Sequence, residues 1–486
     1  MQKSLSIFNK YFFWVVLFLM AFIPLYPKFP ILNVAGTFVA IRIEDFLIAV
    51  ILGIWILKII LTKQIFAVFS EETNKILMVF FFVGLVSLFS AIFLTQTVIP
   101  SLALLHFFRR VELMLLLPLA VSVVTTRKQL IALLVAGLVI VSLVNGYAFG
   151  QKYFDWPVIS TGNSEFSKGL ILHLSPEARV SSTFAGHYDL AVFMVMVLSI
   201  GSAVFFSLKK LYMKAITFII LLSSVIVLVM TAARLSFVSV LIGIALSLLL
   251  TGKKWFILVM IIVSVAILAY PSQLRERLIA TVSVSILQEG ERYVSTNADQ
   301  QQESLINIPT LLLQTSSSSG LRHNTSSNSA SPSAESTIAA QISDIVPGEP
   351  TNITDLAVYR SYGIRFDQEW PRAIRAVIKN PFLGTGYSSL GLATDNDFLR
   401  SLGEVGLLGT ISFSLIILTI LKQLWLSFQK SKDKLIKYSL AGVMAMIIAF
   451  ISNGIFIDVF EASKVATLFW LFCGFGLALT KLNENS

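Results

Sequence analysis

The sequence predicts an all-α polytopic membrane protein with about twelve transmembrane helices and one large extracytoplasmic loop before the last three. Hydrophobic residues make up 56% of the 486 positions and charged residues only 13%, whereas charged residues are about 25% of ordinary soluble domains. Apolar runs long enough to cross about 30 Å of hydrocarbon recur along the chain. Basic residues concentrate in the short segments between alternate runs, as expected for loops on one side of a membrane.

The first apolar run is predicted to be an uncleaved transmembrane helix. It follows Lys3 and Lys10 as the apolar region of a signal peptide would, but it has no clear small-residue cleavage site. Eleven further runs follow it. The twelve runs lie at 11–26, 43–61, 76–94, 101–124, 129–149, 187–208, 212–231, 234–251, 255–270, 398–421, 438–457 and 463–480.

The basic residues predict the orientation of these helices. With the N-terminus in the cytoplasm, all the predicted cytoplasmic loops carry lysine or arginine, so both termini are expected on that side. This distribution accounts for most of the formal net charge of +10, and no nucleic-acid partner is predicted. The residues are Lys63, Lys75, Arg127, Lys128, Lys209, Lys210, Lys214, Lys253, Lys254, Lys430, Lys432, Lys434, Lys437 and Lys481.

No metal site is predicted. Cys473 is the only cysteine, which excludes a disulfide framework and a cysteine-rich metal site. The four histidines have neither the H-x-x-x-H nor the H-x-H spacing that zinc sites use.

Three segments organise the chain. Residues 1–270 hold the first nine predicted transmembrane helices, residues 271–397 form the large extracytoplasmic loop, and residues 398–486 hold the last three helices. Within the loop, about 295–354 is rich in Ser, Asn, Gln and Thr and is predicted to be a mobile insert. Residues 371–379 follow with Pro371 in a first helical turn, and their spacing predicts an amphipathic helix at the outer membrane surface.

The stretch 380–409 is the predicted functional centre. It contains glycines, among them Gly384 and Gly386, that allow backbone conformations and close approaches forbidden to other residues. A polar cluster from Thr394 to Asp397 then stands where an apolar helix begins. Its structural explanation is an ordinary helix N-terminus, with Thr394 or Asp395 as the cap and Asp397 favoured by the helix dipole.

Several arginines stand in unusual places. Arg179 precedes a predicted helix on the outer side, Arg234 occupies a very short outer turn, and Arg109 and Arg110 lie inside an apolar run. Ionisable groups at such depth are costly and usually face a cavity or a partner. The structural alternatives are that Arg234 extends to lipid headgroups and that Arg109 pairs with Glu112 at i, i+3.

The order of these features resembles the superfamily of bacterial O-antigen polymerases and O-antigen ligases. The resemblance covers the order of the spans, the large outer loop and a set of short motifs, and it is closer to polymerases because ligases carry a His-Asn pair where this chain has Asp395-Asn396. Arg375, ten residues and Gly386 also resemble the Arg-x10-Gly pattern of polymerases. The motifs are Arg179 with Ser182-Thr183-Phe184, Arg234, Asn380-Pro-Phe-Leu-Gly-Thr-Gly386, Asp395-Asn-Asp-Phe-Leu399 and Glu404-Val-Gly-Leu-Leu-Gly409.

The resemblance implies a GT-C-like, metal-independent glycosyltransferase in the bacterial inner membrane, with no cofactor. Such an enzyme takes a glycan from undecaprenyl diphosphate and passes it to an acceptor hydroxyl at the outer face. Membrane lipids and a chain-length regulator are further expected partners. Cations would hold the leaving diphosphate and a carboxylate would act as the base. The expected diphosphate ligands are Arg179, Arg234, Arg372 and Arg375, and the base candidates are Asp395, then Asp397 and Glu404.

Other functions stay open at this point. A ligase would transfer the glycan to a separate lipid or protein acceptor. A flippase for lipid-linked oligosaccharides would also have about twelve spans, but it should show related halves and discontinuous helices. A peptidoglycan glycosyltransferase shares the lipid diphosphate substrate, although its usual chain is shorter and its motifs differ. A non-enzymatic scaffold would leave the outer arginines unexplained.

Overall fold

The structure, a computed structural model, describes residues 2–27, 29–33, 40–159, 171–172, 178–283, 353–391 and 393–484. Two short antiparallel pairs of strands, β1 (Pro30–Asn33) with β2 (Ala40–Arg42) and β3 (Val158–Ile159) with β4 (Ile171–Leu172), accompany a body of helices. The first helices are α1 (Gln2–Leu25), α2 (Ile43–Leu61), α3 (Ile65–Phe69), α4 (Glu72–Phe89), α5 (Pro100–Val121), α6 (Arg127–Tyr153), α7 (His187–Phe205), α8 (Leu211–Met230), α9 (Arg234–Leu250) and α10 (Trp255–Ala269). The later helices are α11 (Gln273–Ser283), α12 (Ile353–Gly363), α13 (Trp370–Lys379), α14 (Asp397–Lys430), α15 (Lys434–Asn453) and α16 (Ser463–Glu484). Two π-helical segments, π1 (Ser90–Leu94) and π2 (Ile364–Glu369), continue α4 and precede α13.

The chain is an all-α polytopic membrane protein, as the sequence predicts. A helix lies over each of the twelve predicted apolar runs. Seven of the described helices are long and apolar enough to cross a membrane, and an eighth does so if α10 and α11 count as one span. The other four predicted spans are shorter or carry more charge, as α5 does with Arg109, Arg110 and Glu112. The total of twelve spans therefore stays a prediction.

Small residues bring the central helices together. Of the seven long apolar helices, α16 is the most enclosed: 83% of its most apolar stretch is buried inside the protein. A Cβ atom on its Gly474 would lie 2.5 Å from the backbone oxygen of Leu117 in α5, and one on Gly442 of α15 would lie 2.9 Å from the Ile200 Cα of α7. Close helix approach at small residues is typical of membrane bundles.

The peripheral helices present apolar side chains outward. α10 has no buried residue, and its Leu258, Ile262 and Val265 are each more than half exposed. An exposed apolar surface of this extent is costly in water and is expected against lipid.

One end of the bundle, which we call the lysine-rich end, brings together the predicted cytoplasmic loops. Arg127 at the start of α6 forms an ion pair of 2.9 Å with Asp433 before α15. Lys481 near the end of α16 pairs with Glu71 at the start of α4. These contacts bring loops that the charge pattern predicts on one side of the membrane to the same end of the bundle. The side of the membrane on which this end lies stays a prediction.

The chain divides into two compact units, Met1–Leu274 with Ile364–Ser486, and Arg275–Gly363. Within the second unit, Ala280 of α11 and Val358 of α12 are buried together with the rings of Tyr359 and Tyr362 packed against them. The predicted mobile insert, 295–354, lies outside the described residues except for its last two positions, which begin α12. The boundaries predicted for the large loop are not tested by this division.

Candidate functional site

The loop that follows α13 is interlocked with a break in α14. Gly406 has a φ of +66°, which interrupts the helix. The N–H groups of Leu407 and Leu408 donate to Pro381 and Phe382 instead of to their own helix, at 2.8 and 3.1 Å. The carbonyls of Gly403 and Glu404, which the break frees, accept from Thr385 and Gly386 at 2.8 and 2.9 Å. The two sequence motifs at 380–386 and 404–409 thus exchange their backbone hydrogen bonds, and these four backbone groups at the break find partners in the loop.

Two glycines make this exchange sterically possible. Gly384 has a φ of +69°, and a Cβ atom on it would lie 2.5 Å from the Glu404 carbonyl. Gly386 has a φ of +94°, and its Cβ atom would lie 2.2 Å from the Ala91 side chain. Any larger residue would separate the loop from α14 or from π1.

The end of α4 supports the same loop. The Ser87 hydroxyl donates to the Leu383 carbonyl at 2.5 Å, and the Asn380 amide donates to the Ser90 hydroxyl at 3.3 Å. The Thr97 hydroxyl donates to the Thr385 carbonyl at 2.5 Å. π1, which begins at Ser90, widens the helix at this point, and π-bulges often occur at functional sites.

The N-terminus of α14 is capped by Asn396 and by Asp458 from the α15–α16 connection. The Asn396 side chain accepts from the N–H of Leu399 at 2.9 Å. The Asp458 carboxylate accepts from the N–H groups of Thr394, Asp395 and Asn396 at 2.7 to 3.2 Å. The suggestion that Thr394 or Asp395 caps this helix is therefore wrong. Asp395 has a φ of +47°, outside the extended region that an N-cap residue adopts.

A buried network of opposite charges joins α5, α14 and the α15–α16 connection. Arg400 is 3% exposed, and its guanidinium lies 2.8 Å from Asp458, 3.5 Å from Glu404 and 4.0 Å from Glu461. Glu461 also forms an ion pair with Arg110 of α5. Burial alone would raise the pKa of Glu461, but the Arg110 and Arg400 guanidiniums outweigh this and lower it to about 2. Glu461 is therefore ionised, and breaking a buried pair of this kind is strongly destabilising.

A cavity of about 230 Å³ adjoins the network. Arg110, Asp397, Arg400 and Glu404 line it together with apolar residues such as Phe460. Pockets that hold a drug-sized ligand measure about 300–1,000 Å³, so this cavity is too small for a glycan diphosphate. It can hold a small polar group or water beside the carboxylates.

The three predicted carboxylates have different surroundings. Glu404 is 4% exposed, pairs with Arg400, and accepts from the N–H of Ser388 at 3.2 Å. Asp397 accepts from the N–H groups of Val459 and Phe460 at 2.9 and 3.4 Å. Both hold backbone segments in place. The Asp395 side chain is 31% exposed and forms an ion pair of 2.6 Å with Arg365, whereas the Glu404 side chain is only 5% exposed.

The segment before α13 adds a carboxylate to the surroundings of Asp395. Burial, followed by the negative charges of Asp395 and Asp458, raises the pKa of Glu369 to about 7, although the Arg365 and Arg372 guanidiniums oppose the shift. Burial also raises the pKa of Asp395, although the Arg365 guanidinium opposes this. A carboxylate that titrates near neutral pH suits a general base. No local feature of the sequence pointed to Glu369.

The four predicted diphosphate ligands fall into two groups. Arg372 and Arg375 both lie on the exposed face of α13, and Arg372 donates to the Leu390 carbonyl at 3.0 Å. Arg179 contacts the His187 ring at 2.6 Å, and Arg234 is the first residue of α9. Contacts between helix ends relate the two groups.

Contacts between helix ends define this region, which we call the arginine-bearing end: the end of the bundle at which α7, α9, α14 and α16 begin. The N–H of Val180 donates to Met230 at the end of α8 at 3.4 Å, next to the turn that holds Arg234. The Ser236 hydroxyl of α9 donates to Asn453 at the end of α15 at 3.0 Å. The following residue, Gly454, accepts from the N–H of Asp397 at 2.8 Å. The starts of α7 and α9 therefore lie at the same end of the bundle as the start of α14.

The Ser182-Thr183-Phe184 motif anchors the start of α7. The Ser182 hydroxyl donates to Val144 at 2.7 Å, and the Thr183 hydroxyl donates to Pro24 at 2.5 Å. Lys464 of α16 is 1% exposed, donates to the Thr183 carbonyl at 2.7 Å and lies 5.0 Å from the centre of the Phe184 ring. This motif fixes the backbone near Arg179 through α1, α6 and α16.

Sequence reasoning missed several charged members of the site. Asp458 and Glu461 stand in the short apolar connection 454–462, and two carboxylates in such a segment are a signal that they have buried partners. Arg110 stood out in the sequence, but its partner Glu461 lies 351 residues away.

Within the described ranges, no group of three or more His, Cys, Asp or Glu side chains is arranged to hold a metal ion. Comparison with models of known protein families found no match, and comparison with curated protein sequences found none.

Proposed function

We propose that the chain is a bacterial membrane glycosyltransferase that polymerises a polysaccharide at the outer face of the membrane. The donor is a glycan on undecaprenyl diphosphate and the acceptor is a sugar hydroxyl. The observation that carries the proposal is the gathering of arginines and accessible carboxylates at the arginine-bearing end. Arg179 contacts His187, the first residue of α7, and Arg234 is the first residue of α9, while Asp395 precedes the Asn396 cap of α14.

The finer topology belongs to the same proposal. Twelve transmembrane helices cross the inner membrane, with both termini and the lysine-rich end in the cytoplasm. The positive-inside rule supports this orientation. The arginine-bearing end then faces outward, and its arginines run against the rule. A function in binding an anionic substrate gives these arginines a physical reason.

The reaction needs charge stabilisation and one proton transfer. The acceptor oxygen attacks the anomeric carbon, the bond from that carbon to the diphosphate oxygen breaks, and the diphosphate leaves with the bonding electrons. Arg234, Arg179, Arg372 and Arg375 are proposed to bind its oxygens, because a guanidinium contacts phosphate bidentately and stays protonated. A carboxylate takes the proton of the acceptor hydroxyl.

Asp395 is the proposed base, with Glu369 as the second candidate. Asp395 is 31% exposed on its side chain, whereas Asp397 and Glu404 are engaged in backbone contacts and the buried network. We therefore assign Asp397 and Glu404 a positioning role, in which they hold the α14 N-terminus and the 380–391 loop.

The test uses purified full-length protein in detergent micelles with lipid-linked repeat units, no nucleotide sugar and a chelator. The expected result is a ladder of longer lipid-linked chains on gels of the released glycans. No extension, combined with product on an added lipid core, would replace the polymerase with a ligase. The absence of product on either acceptor would overturn the proposed glycosyltransferase activity.

One observation favours a second function, the transport of lipid-linked oligosaccharides. Transporters use discontinuous helices around their sites, and α14 is broken at Gly406. The break lines the cavity through Glu404 and Val405. In proteoliposomes, movement of a fluorescent lipid-linked glycan between leaflets without any change in glycan length would support transport over polymerisation.

A further inference from the structure

A long groove runs along the first half of α6 in the membrane-spanning body. It has a volume of about 1080 Å³, and its walls come from α1, α6, α7, α8, α15 and α16. Leu130 and Leu143 both line it. Their separation along the α6 axis is about 20 Å at 1.5 Å per residue, which exceeds the roughly 15 Å thickness of one hydrocarbon leaflet.

The walls of the groove are almost entirely apolar along this length. Phe193, Ile216 and Phe472 face it from three different helices. Gly137 of α6 leaves room within it, because a Cβ atom there would meet only the Met20 side chain within 4 Å, at 3.7 Å. The shape and chemistry suit a hydrocarbon chain.

The mouth of the groove is strongly basic. Arg127, Lys209, Lys432 and Lys434 line it at the lysine-rich end, and Asp433 is the acidic residue beside them. Four cations against one carboxylate leave a net charge of +3. Lys209, Lys432 and Lys434 are all exposed, so their ammonium groups can reach a ligand in the headgroup layer. Basic pockets between transmembrane helices bind anionic lipid headgroups.

We propose that this groove binds an anionic phospholipid, with one acyl chain along α6 and the headgroup among Lys209, Lys432 and Lys434. The charge at the mouth requires a negative headgroup, and the length of the wall requires a long hydrocarbon chain. The groove opens at the end of the bundle opposite the arginine-bearing end, so this lipid is distinct from the glycan carrier of the proposed reaction. The proposed lipid-binding site does not depend on the glycosyltransferase activity.

Native mass spectrometry of the full-length protein in detergent tests the headgroup. Phosphatidylglycerol and phosphatidylcholine with identical acyl chains are added separately. The wild type should retain phosphatidylglycerol about tenfold or more in preference, since each nearby cation contributes to binding an anionic lipid. Equal retention of the two lipids would overturn the proposal, and this comparison does not depend on any variant.

Substituting the three lysines at the mouth of the groove tests whether they cause the preference for phosphatidylglycerol. Lys209→Gln, Lys432→Gln and Lys434→Gln combined should abolish it. The matched control removes three exposed lysines that do not line the groove, and it should leave the preference unchanged. A preference that survives the first triple substitution, or is lost equally in the control, would refute the assignment. The control positions are Lys63, Lys75 and Lys254.

A second pair of variants tests the groove itself. Gly137→Leu places a side chain in the groove and should lower retention of both lipids severalfold. Gly146→Leu, on the same helix in open space with nothing within 4 Å, should not. Size-exclusion profiles of the variants report folding. If the wild type retains undecaprenyl phosphate more strongly than phosphatidylglycerol, the groove binds a prenyl carrier and the phospholipid proposal is overturned.

Discussion

Gly384 and Gly406 meet backbone to backbone, so that a Cβ atom on Gly384 would lie 2.6 Å from the amide nitrogen of Gly406. The broken helix and the glycine loop are therefore one structural unit. The break presents the carbonyls of Gly403 and Glu404, and the loop supplies the donors that satisfy them. This unit fixes the position of Asp395 and of the polar residues around it through the start of α14.

The first prediction is that the contact between Gly384 and Gly406 does not tolerate alanine at position 406. Gly406→Ala should lower the free energy of unfolding by at least about 2 kcal/mol, because it adds left-handed backbone strain to a direct clash. Gly146→Ala is the matched control, because Gly146 is helical and its Cβ direction is open. It should stabilise by about 0.5–1 kcal/mol. Denaturant unfolding in micelles gives both values, and equal effects would show that the two backbones can separate freely.

The second prediction concerns the pair between Arg110 and Glu461. Glu461→Gln should lower the free energy of unfolding by about 3–5 kcal/mol, because it leaves the Arg110 guanidinium without its ion-pair partner and removes one of the three carboxylates around Arg400. In a double-mutant cycle, Glu461→Gln with Arg110→Met should cost clearly less than the sum of the single substitutions.

The exposed pair between Lys481 and Glu71 provides the control for that cycle. Their side chains are 49% and 40% exposed, and such pairs contribute at most about 1 kcal/mol. A coupling free energy between Arg110 and Glu461 no larger than that of the control pair would contradict the buried network.

The positions of the helices could be predicted from the sequence, because a helix in lipid is specified by about 20 consecutive apolar residues. The predicted run 43–61 and α2 have the same bounds, and 255–270 differs from α10 by one residue. The number of spans is harder to predict. α5 carries three charges, and only their partners in the folded protein decide whether that helix can lie in the membrane.

The partners within the site could not be predicted in the same way. Asp458 caps α14 from more than 60 residues away, and no local pattern reports a contact at that range. The cap residue Asn396 was in the predicted cluster, but Thr394 and Asp395 have equally suitable side chains, so backbone geometry had to decide. Gly384 and Gly386 were identifiable because a glycine-rich loop beside a helix start is a local signal.

The third prediction follows from Glu369, whose pKa is raised from 4.5 to about 7 by burial and by neighbouring carboxylates. The unfolded chain releases this proton near pH 4.5, whereas the folded protein keeps it to about pH 7. Between these values the folded state binds more protons, so stability falls as the pH rises. Glutamine does not titrate, so Glu369→Gln removes this loss of stability at higher pH.

The melting temperature of Glu369→Gln should therefore match the wild type near pH 4.5 and exceed it increasingly up to about pH 7, with no further change above that. Thermal unfolding in micelles from pH 4 to 8 measures the difference. A difference that is constant with pH, or largest at low pH, would show that Glu369 is not held protonated.

The fourth prediction concerns the arginines proposed to bind diphosphate. Arg375→Lys and Arg234→Lys should each remove much of the polymerising activity, because an ammonium group cannot reproduce the bidentate contact. Alanine at either position should remove more. Lys379→Arg, on the same helix as Arg375, is the control and should keep full activity. Full activity in both lysine variants would remove these residues from the diphosphate site.

The last prediction separates the proposed base from the helix cap. Asp395 precedes the cap residue Asn396, whose side chain accepts from the N–H of Leu399. Asp395→Asn should therefore keep the cap while lowering turnover of lipid-linked repeats by roughly 10²–10⁴, the loss typical of a missing general base. Its stability cost is that of the ion pair with Arg365, not that of the cap. Asn396→Ala should do the reverse, with a loss of about 1 kcal/mol of stability and turnover within a few-fold of the wild type. If Asp395→Asn polymerises normally and Glu369→Gln does not, the base is Glu369. Normal polymer from both variants would exclude a carboxylate base in this part of the arginine-bearing end.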